Sequence, residues 1–208
     1  MSCENNIEQL NFIRGVTFLA TVRWEGREVV YKPISGITQA APVEISCTNH
    51  DVPAGWRVAV SAVKGMNQIN ALNIPPKDKD FHRVTVVSAN AIALNDVNAA
   101  NFSTYKSGGY IEYKAPVDLD GFTARMQIRS SINSVEIIDE LTTEDLRLPS
   151  TGVVIDNSSK TITVKIASSV TENYAFYNAV YSLELVSSDG IVSRVIYGDV
   201  VCSNDVTR

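Results

Sequence analysis

Hydrophobic and polar residues alternate one by one along most of this chain. In VTFLATVRW, Val16, Phe18, Ala20, Val22 and Trp24 share one parity, and Thr17, Leu19, Thr21 and Arg23 share the other. A period of two is that of a half-buried β-strand. FTARMQIRS repeats it, with Phe122, Ala124, Met126 and Ile128 inward and Arg125, Gln127 and Arg129 outward. KTITVKIA sets Ile162, Val164 and Ile166 on one face. WEGREVV turns at Glu25-Gly26 and starts a return strand. AVYSLELVSSDGIVSRVIYGDVV predicts a hairpin around Ser188-Asp189-Gly190, where glycine supplies a positive φ. Helical signals are few. SSVTENYAFYNA predicts a short helix or irregular turn before a strand over 179–187, and LTTEDLRLP a single turn ended by Pro149.

Between Ile34 and Tyr113 the strands shorten to PVEISCT, WRVAVSAV, HRVTVVSA, AIALN and GGYIEYK, separated by loops rich in Asn, Pro and Gly. That texture predicts a small barrel with its own core. The flanking stretches complete one another: GVTFLATVRWEGRE wants a strand partner and VDLDGFTARMQIRS supplies one. The expected fold is therefore all-β, an antiparallel Ig-like β-sandwich from residues 1–33 and 114–208 with a small β-barrel, 34–113, inserted in a loop. Surface loops are where an insertion costs least.

Composition narrows the function. The 208 residues are 45% hydrophobic and 20% charged, an ordinary globular mixture, and the net charge of −5 excludes the basic footprint of a nucleic-acid binder. The densest charge cluster, PPKDKDFHR, interleaves acids with bases as a solvated loop does. Cys3, Cys47 and Cys202 lie far apart without a C-x-x-C spacing, so neither a zinc site nor a disulfide framework is expected, and reduced thiols are. MSCENNIEQLNF lacks a basic flank before an apolar run, so no signal peptide is expected. No apolar run approaches the about 18 residues that suggest a membrane helix.

Candidate chemistry is sparse. His50 and His82 are the two histidines, and TNHDVPAGW sets His50 beside Asp51 with Cys47 just upstream. That stretch reads either as the corner of an active site or as a turn. Alternation places Cys47 on the face of Val43 and Ile45, which favours a buried thiol over a nucleophile. IIDELTTED gathers Asp139, Glu140, Glu144 and Asp145, but without a calcium-loop spacing. YKSGGYIEY lacks the lysine and helix of a phosphate loop. No catalytic, metal or cofactor site is expected.

Three ordered blocks carry a resemblance: RGVTFLATVRW, VDLDGFTARMQIRS and YSLELVSSDGIVSRVIYGDVVCSNDVTR. Gly15, Thr17 and Phe18 in the first, Asp118, Leu119, Gly121, Thr123, Ala124, Arg125, Met126 and Arg129 in the second, and Tyr181, Leu183, Leu185, Asp189, Gly190, Arg194, Gly198, Val206, Thr207 and Arg208 in the third match a β-sandwich domain of tailed-phage structural proteins. Val16 stands where that domain usually has Asp. The N-terminal domains of phage baseplate upper proteins look similar. The middle segment resembles a barrel repeat of phage virion proteins that is similar to the first catalytic-cysteine half-domain of ubiquitin-activating enzymes. Ile37, Thr38, Ala40 and Pro42, then His50, Gly55, Val58, Gly65, Met66 and Asn70, then Tyr105, Ser107, Gly108 and Gly109 carry it. No adenylation motif accompanies the barrel, so ubiquitin chemistry is not implied.

The resemblance implies that His50 opens a turn completed by Gly55, bonding local backbone while Asn49 and Asp51 supply turn chemistry. It also implies a non-enzymatic virion protein, made in the host cytoplasm, that joins neighbouring tail, baseplate or collar proteins as a homo-oligomer, with neither nucleic acid nor membrane as partner. The interface candidates are Tyr105, Tyr110 and Tyr113 on the barrel, Arg125 and Arg129 on the sandwich, and Arg208. The C-terminal SNDVTR is expected to pair with a neighbouring edge. Capsid decoration is a second reading. A glycan-binding module at a tail fibre is a third, and it calls for an exposed aromatic platform that Trp24 and Trp56 do not promise.

Overall fold

A computed structural model describes residues 7–206. Two strands come first, β1 (Leu10–Ile13) and β2 (Phe18–Val22). Seven follow: β3 (Glu25–Pro33), β4 (Gly36–Ile37), β5 (Val43–Ser46), β6 (Arg57–Lys64), β7 (His82–Ser88), β8 (Ala91–Leu94) and β9 (Ser107–Pro116). The last six are β10 (Thr123–Arg129), β11 (Asp139–Thr142), β12 (Gly152–Asp156), β13 (Thr161–Ile166), β14 (Asn178–Val186) and β15 (Val192–Ser203). A one-turn helix, α1 (Ser168–Thr171), falls where a short helix was expected. The protein is all-β, and its chain divides into two compact units, residues 1–24 with 118–208, and Glu25–Val117.

The discontinuous unit is a sandwich of a five-stranded sheet, β1-β15-β14-β10-β11, and a three-stranded sheet, β12-β13-β2. Alternation does the sorting. Ala124, Met126 and Ile128, with Ala179, Tyr181, Leu183 and Leu185, bury one face of the larger sheet, and Ile162, Val164 and Ile166 bury the facing side of the smaller. Each fully buried aliphatic side chain contributes about 1.5–3 kcal/mol. Phe12 of β1 meets Phe18 of β2 edge-on, 4.5 Å between ring centroids, and stacks on Tyr174 at 5.9 Å, which pins the sheets together. The β14–β15 hairpin turns as expected, with Gly190 at φ +77. A bulge beside Leu183 and Glu184 lets the consecutive Val195 and Ile196 both bury.

Two pairings differ from expectation. β2 pairs with β13, and β10 pairs with β11 and β14, so β2 and β10 lie in different sheets. β1 runs parallel to β15, Leu10 opposite Val200 through Ile13 opposite Ser203, a pairing the sequence reading did not anticipate.

The second unit is a curled sheet in the order β3-β9-β6-β7-β8-β5-β4. The strands at its two ends are consecutive in sequence. The Ile34 N–H donates to Gly109 O at 3.0 Å and the Ser35 N–H to Ser46 O at 2.9 Å, so one backbone stretch leaves β9 and joins β5 within two residues. That handover curls the sheet into a barrel around Val43, Ile45, Cys47, Trp56, Val58, Met66, Ile92, Leu94, Ile111 and Tyr113. The buried Trp56 indole donates to Lys114 O at 2.9 Å. β3 and β9 pair from Val29–Lys114 to Pro33–Tyr110 and again at Glu25–Pro116. Boundaries at 33/34 and 113/114 would split this ladder, and the unit accordingly runs from Glu25 to Val117. WEGREVV is thus no return strand for β2, and its partner lies some eighty residues on, a relation that alternation cannot report.

Phe12→Ala should lower sandwich stability by about 3–5 kcal/mol, because it removes the ring between the sheets. Ile13→Ala, on the exposed side of the same strand, should stay within about 0.5 kcal/mol. Urea melts of the two variants check the difference.

Candidate functional site

TNHDVPAGW folds as a turn in which the His50 ring is spent on backbone. His50 is 2% exposed. Its Nδ1 accepts the Val52 N–H at 3.0 Å and its Nε2 donates to Ser88 O at 2.7 Å, which fixes the neutral tautomer with the proton on Nε2. Asn49 at φ +48 and Asp51 at φ +57 bracket it in the left-handed conformation that Asn and Asp tolerate. Lys32 Nζ donates to Asn49 O at 2.7 Å and to Asp51 Oδ2 at 2.6 Å. That partner holds the Asp51 carboxyl below its ordinary range. With both ring nitrogens engaged, His50 has no lone pair for a base to use on the Cys47 thiol. Cys47 is fully buried, and desolvation raises its pKa.

Two carboxylates of the acidic stretch, Asp139 and Asp145, are likewise engaged within the fold. Arg147 donates to Asp139 Oδ1 at 3.0 Å and to both oxygens of Asp145, at 2.9 and 2.7 Å, and Tyr174 Oη donates to Asp139 Oδ2 at 2.6 Å. The Arg147 guanidinium holds the Asp145 carboxyl below the usual carboxylate range. Burial, then the hydrogen bond to Asp139, pushes the Tyr174 hydroxyl well up. Among the described residues no cluster of three His, Cys, Asp or Glu side chains is placed to hold a metal ion.

The interface candidates separate by environment. Tyr113 is 2% exposed, its hydroxyl donates to His50 O at 2.7 Å, and burial pushes its pKa up to about 12. It is a core residue and offers a neighbour nothing. Tyr105 is half-buried, with its hydroxyl 3.1 Å from both Ile34 O and Gly108 O, at the point where the barrel closes. Tyr110 stands exposed on the outer face of β9. Arg125 lies on the outer face of β10, donating to Glu184 at 2.7 Å. Arg129 turns back to Gln127 Oε1 at 2.8 Å and Ser134 O at 2.6 Å, so it shapes the loop after β10. Arg208 lies outside the described residues.

Two surfaces carry exposed apolar groups, and of their residues the sequence reading singled out Tyr110 alone. The first is the loop joining β10 to β11, held by Arg129, by Ser134 N–H to Ser131 O at 3.1 Å and by Ile138 N–H to Ile128 O at 2.8 Å. It presents Ile132, 83% exposed, and Val135, 93% exposed, with Ile137 and Ile138 partly covered. The signal was four large apolar residues in a segment without strand alternation.

The second surface is the outer face of β3 and β9. Register sets Tyr31 opposite Glu112, Val29 opposite Lys114 and Pro33 opposite Tyr110. Tyr31 and Tyr110 meet edge-to-face, 5.3 Å apart at 80°. They border a depression of about 430 Å³ with Pro33 and Gly109. A second, of about 480 Å³, is lined by Tyr31 together with Arg57, Pro75, Pro76, Asp78, Phe81, Glu112 and Lys114 among others. The signal here was VVY, apolar on both parities of one strand.

No family model matches the chain, and no curated protein matches it in sequence.

His50→Ala should destabilise the barrel by about 2–4 kcal/mol, stranding the buried Val52 N–H and Ser88 O. Tyr113→Phe, which removes one hydroxyl, should cost about 1 kcal/mol. Chemical denaturation measures both. The depressed Asp145 carboxyl stabilises the fold above the ordinary carboxylate pKa, and that contribution disappears as pH falls through its lower folded value. Thermal melts below about pH 4 should therefore decline less steeply in Asp145→Asn than in the parent.

Proposed function

We propose that this chain is a non-enzymatic phage virion protein, an adaptor of the tail or baseplate that joins neighbouring virion proteins in a symmetric assembly. The observation that carries the reading is the loop between β10 and β11. A sandwich that leaves Ile132 and Val135 almost fully in water, on a loop braced by Arg129, retains apolar surface at a cost that a protein contact offsets. The three sequence blocks that resemble phage sandwich domains support the same role, and a barrel inserted in that sandwich adds a further surface. The polar groups of the His50 turn and of the Arg147 cluster maintain the fold, which fits a part whose work is mechanical.

Immunogold electron microscopy of intact particles, with antibody raised against this chain, tests the proposal. Gold at the tail tip or collar is expected. Gold over the head would replace the adaptor by a capsid decoration protein, and no gold on intact or opened particles would remove the virion reading altogether. The Ile132→Ser/Val135→Ser double variant should melt within a few degrees of the parent, both sites being exposed. It should nevertheless fail to enter particles, scored by gold count.

A further inference from the structure

We infer that the outer face of β3 and β9 is a binding site for a neutral saccharide chain, centred on Tyr31 and Tyr110. This site belongs to the barrel and stands independently of the adaptor reading.

Tyr31 is 57% and Tyr110 36% exposed, and they lie on the outward parity of paired strands, where no barrel packing requires them. Val29 and Pro33 extend the same row along β3. Tyr31 lines both depressions, so a ligand lying in the two together would cross its ring. Both, of about 430 and about 480 Å³, are open depressions on the surface rather than enclosed cavities, as suits a chain lying across the face. Pro75 and Pro76, with their fixed φ, form part of the lining.

The polar lining defines the chemistry. Glu112 lies opposite Tyr31 and two residues from Tyr110 on β9, yet is 5% exposed, and the Ser61 hydroxyl donates to its Oε1 at 2.5 Å. Lys114, Arg57 and Asp78 stand around it, and Arg57 is itself fixed by Glu25 and Asp78 and lies 5.3 Å over the Phe81 ring. Three cationic side chains, Arg57, Lys77 and Lys114, face two anionic ones, Asp78 and Glu112, within one groove. Near balance of this kind gives a lone cation or anion little net attraction. It does supply donors and acceptors side by side beside aromatic faces. A pyranose ring matches that pattern, since its C–H face is apolar and its equatorial hydroxyls each need a donor and an acceptor.

A peptide fits less well. The tyrosines meet at 80°, not as the parallel walls that grip a proline helix. Strand addition along β3 is opposed by Arg27, Glu28 and Lys32 and by Pro33 at its end. Neither tryptophan supplies the platform: Trp56 is buried in the barrel, and Trp24 packs edge-on against Phe122 at 6.0 Å in the other unit.

The test is titration of the full chain with fluorescently labelled maltotetraose, cellotetraose, chitotetraose and, as an anionic control, sialyllactose, followed by anisotropy. At least one neutral tetrasaccharide should bind. Tyr31→Ala and Tyr110→Ala should each weaken it tenfold or more, with melting temperatures close to the parent because both rings are exposed. Leu19→Ala, an exposed apolar site on β2, should leave binding unchanged. Absence of binding by all three neutral probes overturns the inference. So does binding that survives the Tyr31→Ala/Tyr110→Ala double variant, or tighter binding of sialyllactose than of every neutral probe. A labelled proline-rich decapeptide that binds where the sugars do not would reassign the groove to peptide recognition.

Discussion

The ladder between β3 and β9 is the constraint on which this two-unit chain depends. Glu25 lies opposite Pro116, so the two ends of the barrel sequence are neighbours on paired strands. To the sandwich sequence, the barrel is then a long loop whose ends are already brought together. Loop closure grows only as the logarithm of length, each doubling adding about 0.6 kcal/mol. A folded insert with adjoining ends removes even much of that cost. Barrel curvature follows from the same strand, since the stretch that pairs with β9 passes to β5 between Ile34 and Ser35. Val30 and Ile34, on its inner parity, join the barrel core as it does so.

Most strands were legible because burial follows parity. Met126, Ile128, Ile162, Val164 and Ile166 bury where alternation put them, as does Cys47 beside Val43 and Ile45. Partners were not legible. A period of two says which face a residue takes, and nothing about whether Val22 hydrogen-bonds onward to Val29 or sideways to Ile162. The parallel docking of β1 on β15 leaves no local signature at all, because no turn connects the pair. Tyr113 shows a different failure. Its parity matches Ile111, so alternation places it inside, while Tyr110 takes the opposite parity and faces out.

The turn that looked most like chemistry proved to be architecture for a physical reason. A histidine useful as a base needs one ring nitrogen with its lone pair toward a substrate or nucleophile. Here Val52 occupies Nδ1 and Ser88 takes the Nε2 proton, so the ring clamps the segment before β6 to the end of β7. Tyr113 reaches the same residue through its carbonyl, and Lys32 braces the flanking residues from outside. A buried group satisfied on both nitrogens is stable because nothing remains for it to do.

What is left over after such satisfaction is where function is to be sought, and the two units leave different remainders. The sandwich retains aliphatic side chains on a braced loop, a surface suited to another protein, since Ile and Val offer area without directional bonds. The barrel retains aromatic faces beside a nearly charge-balanced set of donors and acceptors, a surface suited to a ligand that is apolar on one side and hydroxylated at its rim. At 57% and 36% exposure, Tyr31 and Tyr110 leave part of each ring open beyond their own edge-to-face contact. Because the loop hangs on Arg129 and Ile128 in one unit and the groove on the β3–β9 register in the other, a substitution on either surface need not reach the other through shared partners.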